Sequence, residues 1–401
     1  MISPVRCLEI ASFESCRAEM DRIGVDPAGV RIMAPKQLHY NLKLEGLKPA
    51  QANILKQDML SIGGEAAVAK GAASCSVAST GALVSGTQRQ FDTLIDKLNG
   101  QCLGLGEAAE AMRKAIENRG RPVYELKGSK GPFTIGPATL IMGILNVTPD
   151  SFSDGGRFTD PGRALERALE MASEGADLID IGWESTRPGA EPVDAAEELR
   201  RVVPVIEALA GKGLTVSIDT TKASVAEAAI GAGASIVNDV SALSFDPDMA
   251  GVVAGGGVPL ILMHMRGTPK TMQLDTSYGD LMSEVYGYLH SRLEFASRMG
   301  IDPESIIVDP GLGFGKSVEG NLELLARLRE FKSLGRPVLA GPSRKSFIGK
   351  TLNAAGPDER LAGTIAACAL AASNGAAILR VHDVKEARRA AAIADAVAGR
   401  I

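Results

Sequence analysis

Short apolar segments alternate with longer amphipathic segments from about residue 137 to the end of the chain. Each apolar segment has the length of a strand and is rich in Ile, Leu and Val, which is typical of a parallel sheet buried on both faces. The predicted strands are 140–146, 178–182, 215–219, 235–238, 258–264, 304–308, 337–340 and 377–381. Most are followed by a segment with helical periodicity, and these segments are 162–173, 195–210, 224–231, 278–300, 318–331, 358–373 and 385–398. The segment after the fourth strand is the shortest.

Eight strand–helix units in about 260 residues predict a (β/α)8 TIM barrel. A doubly wound open sheet is the alternative, because it is built from the same units. Residues 1–125 lack this repeat, the segment 103–121 has a helical pattern that ends at Gly120, and 127–137 is rich in Gly and Pro. We therefore predict a smaller N-terminal α/β domain of unknown role, residues 1–122, before a barrel domain, residues 123–401.

Composition and charge exclude several classes of protein. The net charge of −5 argues against a general nucleic-acid binder, which needs a basic surface. The uncharged segment 361–379 approaches membrane-spanning length, but Asn374-Gly375 interrupts it, so a buried helix, a turn and a strand are expected instead. The first residues do not resemble a secretory signal, and the five cysteines form no CxxC pair, which together predict reduced thiols and a cytoplasmic location.

Polar residues follow every predicted strand, and barrels carry their chemistry at these carboxyl-terminal ends. A single Asp at such a position is more often a helix cap than a catalyst, but eight polar ends together indicate a site. The groups in order are Asn146; Glu184 to Arg187; Asp219 to Lys222; Asn238 and Asp239; His264 and Arg266; Asp309; Ser343 to Ser346; and Arg380 to Asp383.

These residue types also suggest a ligand. Arginine, lysine and histidine can hold an anion, and Asp or Asn side chains can accept hydrogen bonds from a flat, donor-rich heterocycle. The candidate anion ligands are Arg187, Lys345, Arg380 and His382, and the candidate acceptors are Asp219, Asn238 and Asp309. Met263 and Phe314 can supply apolar faces, while Asn146 and Asp154 offer oxygen ligands for Mg²⁺ on a phosphate.

Three other motifs carry less weight. The segment 309–317, DPGLGFGKS, is neither a P-loop, since Pro310 replaces a required glycine, nor a GxGxxG motif, since Lys316 replaces the last one. His264 is a lone histidine, for which packing or hydrogen bonding is the better interpretation than metal binding. Cys368 lies in an Ala-rich helical segment, as expected of a core thiol.

The motifs of residues 130–401 closely resemble the dihydropteroate synthase family. ILNVTPDSFSDGG (144–156) and DIGWESTRPGA (180–190) resemble its first two signatures, and SIDTTK, VNDVSAL, LMHMRGTPKTMQ, DPGLGFGK, GPSRKSFIG and RVHD follow in the family's order. The resemblance implies a pterin-binding barrel that joins 6-hydroxymethyl-7,8-dihydropterin diphosphate to p-aminobenzoate in folate synthesis and releases diphosphate. By the same analogy, a homodimer through helices near the C-terminus is expected.

The resemblance also implies roles for individual residues. Asn146 would bind Mg²⁺, with Asp154 helping to assemble the metal–diphosphate site. Three residues of the second loop would help to form the p-aminobenzoate site, namely Thr186, Arg187 and Pro188. Four residues would bind the pterin, namely Asp219, Asn238, Asp309 and Lys345. Ser346, near a helix start, would help to hold the p-aminobenzoate carboxylate, while Arg380 and His382 would bind diphosphate.

The implied mechanism is dissociative and requires no nucleophilic side chain. The C–O bond to diphosphate breaks early, and the aromatic amine attacks a pterin methyl cation. Mg²⁺, Arg380 and His382 would stabilise the leaving group, and carboxylates such as Asp219 would stabilise the cation. One position departs from the family, because Trp183 stands where a small residue is usual. It either packs inertly against the top of the barrel or alters loop closure and access for p-aminobenzoate.

Two other functions use the same barrel. A methyltetrahydrofolate-dependent methyltransferase acting with a corrinoid protein would share the pterin residues, but it needs no site for diphosphate or p-aminobenzoate. A non-catalytic pterin-binding protein is suggested only by Trp183 and by the extra N-terminal residues. The expected partners are therefore small molecules, and no nucleic acid or membrane is expected.

Overall fold

The computed structural model of the chain describes residues 5–128, 131–147, 161–183, 194–354, 356 and 358–400. The chain divides into two compact units, Met1–Gly120 and Arg121–Ile401.

The first unit is a small α/β structure, as predicted. Its antiparallel sheet has the order β1-β3-β2, built from β1 (His39–Leu47), β2 (Glu65–Val68) and β3 (Thr80–Thr87). Its helices are α1 (Phe13–Ile23), α2 (Pro27–Met33), α3 (Pro49–Ser61), α4 (Gln88–Asn99) and α5 (Leu105–Gly120). The alternating pattern of β3 buries one face of the sheet, and Leu55, Met59, Phe91 and Leu94 of α3 and α4 share the core with that face.

The second unit is a parallel β/α barrel, which confirms the predicted fold. After a short hairpin of β4 (Tyr124–Leu126) and β5 (Phe133–Ile135), the described residues form eight parallel strands. They are β6 (Leu140–Asn146), β7 (Leu178–Gly182), β8 (Val216–Asp219), β9 (Ile236–Asp239), β10 (Leu260–Met263), β11 (Ile306–Asp309), β12 (Leu339–Ala340) and β13 (Ile378–Val381).

The sheet closes on itself, which excludes the open doubly wound alternative. Its order is β11-β10-β9-β8-β7-β6-β13-β12, and a parallel bridge between Val308 and Val338 joins the two outer strands. The helices are α6 (Pro161–Ser173), α7 (Ala195–Ala210), α8 (Ala223–Ala232), α9 (Met249–Gly256), α10 (Leu281–Arg298), α11 (Val318–Ala326), α12 (Ser346–Leu352), α13 (Leu361–Ser373) and α14 (Val384–Val397).

Side chains alternate between the barrel interior and the surrounding helices. Outward residues such as Ile179, Ile218 and Leu262 belong to the large core that the helices cover. Inward residues of the strand starts form a separate apolar cluster with the β4–β5 hairpin, comprising Met142, Leu178, Ile236, Ile261, Ile307, Leu339, Ile378, Tyr124, Leu126 and Ile135. The barrel therefore has an apolar floor, above which polar residues occupy the inward positions.

The uncharged segment 361–379 folds as expected from its sequence, with α13 followed by a turn and then β13. Within the described part of the chain, no helix combines the length and apolar character needed to span a bilayer.

Candidate active site

Polar side chains from neighbouring strands meet at one level of the barrel. The register of the parallel strands places Asn146 opposite Gly182, Gly182 opposite Asp219, and Asp219 opposite Asn238. On the other side, Met263 lies opposite Asp309. Because these positions follow the apolar floor in the same strands, their side chains surround the carboxyl-terminal mouth of the barrel.

An arginine joins two carboxylates at the centre of this mouth. Arg380 donates from Nε to Asp180 Oδ2 and from Nη2 to Asp219 Oδ2, each at 2.6 Å. Asn238 donates from Nδ2 to the same Asp180 oxygen at 3.1 Å. Asp180 is fully buried and Asp219 nearly so, so both bonds are charge-assisted and shielded from water.

Burial and mutual charge shift the pKa values of this cluster. Burial, opposed by Arg380 and reinforced by Asp180, raises the pKa of Asp219 to about 7. Burial alone would lower the pKa of Arg380, but the two carboxylates raise it, so the guanidinium stays charged. Burial and the charge of Arg380 lower the pKa of Lys345 to about 8. Asp219 and Lys345 thus titrate within reach of neutral pH, as functional groups often do.

Asp309 accepts a hydrogen bond from the glycine-rich turn that follows its strand. Gly311 donates its backbone N–H to Asp309 Oδ1 at 2.7 Å. The φ of Gly311 is +73°, and a Cβ there would lie 1.9 Å from the carbonyl oxygen of His264. The turn therefore needs glycine both for its backbone conformation and for its close approach to the end of β10. Burial raises the pKa of Asp309, although Lys345, Lys316 and Arg380 oppose this.

Lys316 braces the same turn from within. Its ammonium donates to the carbonyl oxygens of Gly311 at 2.9 Å and Phe314 at 2.8 Å, and it lies 2.9 Å from His264 Nδ1. Burial and the neighbouring Lys316 lower the pKa of His264 to about 2, so its ring is neutral. His264 is thus a hydrogen-bonded and packed residue, with its ring centroid 4.9 Å from that of Tyr288.

One side of the mouth is apolar. Met263 and Phe314 belong to a buried cluster that also contains Val240, Met265 and Met272. The Nζ of Lys345 lies 3.9 Å from the centroid of the Phe314 ring, which is a cation–π contact. This wall can pack against the face of a flat ring while the polar residues meet its edge.

His382 and Ser346 lie on the segments after β13 and β12. Ser343 Oγ is 3.0 Å from His382 Nδ1 and also accepts the backbone N–H of His382. Burial, Arg380 and Arg344 lower the pKa of His382 to about 3, so this ring acts as a neutral hydrogen-bonding group and not as a cation. Ser346 is the exposed first residue of α12, a helix of only seven residues.

Trp183 is buried directly after β7. It belongs to the core between the strands and the helices, and the guanidinium carbon of Arg201 lies 4.2 Å from its ring centroid. This environment agrees with the packing interpretation. Four of the predicted site residues, Asp154, Thr186, Arg187 and Pro188, lie outside the described residues.

Sequence reasoning assigned no role to Asp180 or Lys316. Asp180 stands in the middle of a predicted strand, whereas the candidate site residues were chosen from the strand ends. The signal that could have found it is a single charged residue in the otherwise apolar run LIDIG. Lys316 was noticed only as a departure from a nucleotide-binding motif. Its burial follows from the turn, which wraps its backbone carbonyls around the ammonium.

The donor set for a cation is sparse. Within the described ranges, no three His, Cys, Asp or Glu side chains come together as a metal-binding cluster. Asn146 is half-buried at the end of β6 and offers one amide oxygen. This suits Mg²⁺, which keeps several waters and uses few protein ligands when it is held on substrate phosphates.

The geometry defines a β/α barrel whose mouth combines acceptors, buried cations and an apolar wall. The model of the pterin binding enzyme family matches residues 142–382. A dihydropteroate synthase of Synechocystis sp. is 50% identical over 266 residues, which cover 66% of this chain and 92% of the relative. The solved Xanthomonas albilineans dihydropteroate synthase with 4-aminobenzoic acid is 46% identical, with a TM-score of 0.65, and the match covers 69% of this chain and 98% of that one.

The chain belongs to the pterin binding enzyme family, and its predicted resemblance to dihydropteroate synthases is confirmed. A further relative extends over the N-terminal unit. A probable bifunctional folylpolyglutamate synthase/dihydropteroate synthase of Halobacterium salinarum is 43% identical over 391 residues, which are 97% of this chain but 46% of that protein. The N-terminal unit is therefore shared with a larger relative and is not peculiar to this chain.

Proposed function

We propose that this chain is a dihydropteroate synthase, a transferase that condenses 6-hydroxymethyl-7,8-dihydropterin diphosphate with p-aminobenzoate. The observation that carries the proposal is the set of hydrogen-bond acceptors at the barrel mouth. Within the described residues, Asp219 and Asp309 each accept through one carboxylate oxygen, and Asn238 donates through Nδ2. The remaining oxygens, Asp219 Oδ1, Asn238 Oδ1 and Asp309 Oδ2, accept no hydrogen bond from the described residues.

These acceptors complement the donor-rich edge of a pterin. A carboxylate facing the amino-pyrimidine edge can accept two parallel hydrogen bonds, a role that we assign to Asp309. Asp219 and Asn238 accept from the remaining ring donors, and Lys345 donates to a ring acceptor. Met263 and Phe314 pack against the ring face.

We assign the diphosphate to the region of Arg380 and His382. Arg380 is permanently charged, and His382 donates as a neutral ring because its Nδ1 faces Ser343. Asn146, and Asp154 from the first loop, would hold Mg²⁺, which when bound adds positive charge beside the diphosphate. The p-aminobenzoate site would be formed by Thr186, Arg187, Pro188 and Ser346. Since α12 is short, Ser346 contributes its hydroxyl more than a helix dipole.

The chemistry then follows from the charges on these residues. The C–O bond to diphosphate breaks, and the electron pair leaves with the diphosphate near Arg380. The methyl carbon becomes cationic, and the ionised carboxylate of Asp219 stabilises it electrostatically. The p-aminobenzoate nitrogen attacks this carbon, a C–N bond forms, and the amine proton passes to water or to the departing diphosphate. Holding both substrates in one mouth supplies much of the rate through orientation.

One incubation separates this function from its two alternatives. The chain is mixed with the dihydropterin diphosphate, p-aminobenzoate and Mg²⁺, and diphosphate release is followed. A synthase consumes p-aminobenzoate in step with diphosphate release, and the release accelerates when p-aminobenzoate is added. A methyltransferase acting on methyltetrahydrofolate or a non-catalytic pterin-binding protein releases none.

The remaining assignments are parts of the same proposal. Magnesium dependence is tested by chelation and metal replacement, and the homodimer by mass measurement in solution. A cytoplasmic location agrees with cysteines that form no disulfide among the described residues. The N-terminal unit would serve oligomerisation, stability or regulation.

A further inference from the structure

Asp180 lies in the middle of β7 and is completely buried, yet among the described residues its side chain is bonded only to Asn238 and Arg380, both assigned to the dihydropterin diphosphate site. Its Oδ2 accepts from Arg380 Nε and from Asn238 Nδ2, while its Oδ1 has no partner among the described residues. A buried carboxylate whose bonds all end on site residues has no evident role in holding the barrel together. The floor of the barrel is apolar and does not need it.

The contact with Asn238 fixes the orientation of an amide. A carboxylate can only accept hydrogen bonds, so Asn238 must turn its NH₂ group towards Asp180. Its carbonyl oxygen is then the atom that remains for a ligand. Without Asp180, the amide could rotate by half a turn and present two donors where the heterocycle also presents a donor.

The contact with Arg380 fixes a plane. Nε and Nη2 form one edge of the guanidinium, and each is bonded to a different carboxylate. Two bonds along one edge leave the group no freedom to rotate about its terminal bonds. With Asp219 alone, the guanidinium would keep only one of these two bonds.

We propose that Asp180 is the positioning residue of the pterin site, which sets Asn238 as an acceptor and holds the plane of Arg380. The inference rests on the proposed function and deepens it. The site selects a heterocycle with an N–H donor opposite Asn238 because Asp180, two strands away in the barrel, excludes the other orientation of the amide.

The test compares two substitutions at one position. Asp180→Ala removes the acceptor, whereas Asp180→Asn keeps a carbonyl oxygen that can receive both bonds. Binding of the dihydropterin diphosphate is measured calorimetrically without p-aminobenzoate, and KM for p-aminobenzoate is measured separately. Ser217→Ala is the matched control, because Ser217 pairs with Asp180 across the strands, is buried, and has a hydroxyl without a partner among the described residues.

We expect Asp180→Ala to weaken pterin binding roughly ten- to hundredfold, the range for losing hydrogen bonds to a charged group. Asp180→Asn and Ser217→Ala should stay within roughly threefold of the wild type, well below the cost of one such bond. The KM for p-aminobenzoate should not change. Unchanged pterin binding in Asp180→Ala, or an equal loss in Asp180→Asn, would overturn the proposal.

A second pair of variants covers the case in which Asp180→Ala does not fold. Asn238→Asp places two carboxylates against each other and should weaken pterin binding at least tenfold, as expected for unpaired buried charges. Adding Asp180→Asn removes one of the two facing charges and lets an amide at position 180 donate to the carboxylate at position 238. Because Asp180 Oδ2 also accepts from Arg380 Nε, that amide cannot serve both partners, so we expect a partial recovery of affinity, roughly threefold or more over Asn238→Asp alone. Failure of this rescue overturns the proposal, whereas a wild-type chain that binds no dihydropterin diphosphate would refute the proposed function itself.

Discussion

Asp219→Asn is the most direct test of the proposed chemistry. The carboxylate accepts from Arg380 Nη2 at 2.6 Å and is nearly buried, so the substitution removes one negative charge from the centre of the mouth and changes little in volume. Arg380 keeps its second carboxylate, Asp180, at 2.6 Å. The guanidinium therefore stays paired, and the barrel should still fold.

The size of the effect follows from these contacts. Full loss of a buried partner costs about 3–5 kcal/mol, but here Arg380 keeps Asp180 and can still donate to the asparagine oxygen. What Asp219→Asn removes is the negative charge beside the developing cation, for which about 1.5–3 kcal/mol, the range for an interaction with a charged group, is the better estimate. If Asp219 stabilises the cation in the transition state, the same energy appears in the barrier, and kcat falls roughly ten- to hundredfold. KM for p-aminobenzoate should change little.

The pH profile supplies a second readout. Because the pKa of Asp219 is raised to about 7, its carboxylate is formed only as the pH rises through that value, so activity should increase across it. Arg380 opposes this shift, while Asp180, Glu198 and Asp239 reinforce it. Asp219→Asn should abolish this acidic limb. The free energy of unfolding of the wild type should fall as the pH rises from about 4 to 7, because over this range Asp219 keeps its proton in the native state and loses it in the unfolded chain.

Steady-state diphosphate release, with both substrates varied, measures these quantities. Asp395→Asn is the matched control, because Asp395 is also buried and paired with an arginine, but it bonds Thr139 at the opposite end of the barrel. The control should lose stability and keep kcat. A turnover number of Asp219→Asn close to the wild-type value would refute the cation-stabilising role.

Three further predictions test the packing, the glycine turn and the unit boundary. Trp183→Gly should lower the free energy of unfolding by about 3–5 kcal/mol in chemical denaturation because it empties a buried site, and an altered KM for p-aminobenzoate would contradict inert packing. Gly311→Ala should displace the turn and weaken pterin binding in calorimetry. The control Gly213→Ala, at φ +76° but with open space around it, should lower the free energy of unfolding by only about 1–2 kcal/mol. Residues 121–401 alone should fold and release diphosphate, and a changed mass with unchanged kcat would indicate an oligomerisation role for residues 1–120.

The strands of the barrel could be predicted from the sequence because each is a continuous apolar run. Strands β6 and β7 begin and end where the pattern places them, and β8, β10, β12 and β13 are shorter than predicted by one to three residues. Strands β9 and β11 begin one and two residues later than predicted, and both end one residue later. The segment 318–331 is a different case. It was predicted as one helix, but α11 ends at Ala326 and Leu328–Leu334 forms a 3-10 helix, since hydrophobic periodicity does not distinguish the two over so few residues.

The strand-end rule also brought Asp219, Asn238, Asp309 and Arg380 to one mouth, because parallel strands in register must align their carboxyl ends. The rule could not predict what each side chain bonds to. Arg380 was expected on diphosphate, yet two of its nitrogens are already committed to carboxylates. His382 is predicted to help hold an anion, and because burial and neighbouring arginines lower its pKa, it can do so only as a neutral hydrogen-bond donor. Such assignments depend on distances across the barrel that no local pattern encodes.

Asp180 illustrates why a buried charge inside a strand carries more information than one at its end. A strand-end Asp can cap a helix or a turn, as Asp239 does by accepting from the backbone of Ser241 and Leu243. A mid-strand Asp has no such local use, and its burial costs free energy unless specific partners offset that cost. Its partners must therefore come from other strands, and in a barrel those strands are the ones that carry the site. The Asp in LIDIG is therefore expected to have partners across the barrel, and these are Arg380 and Asn238. Because both belong to the site, removing the Asp180 carboxylate should alter ligand orientation more than the fold.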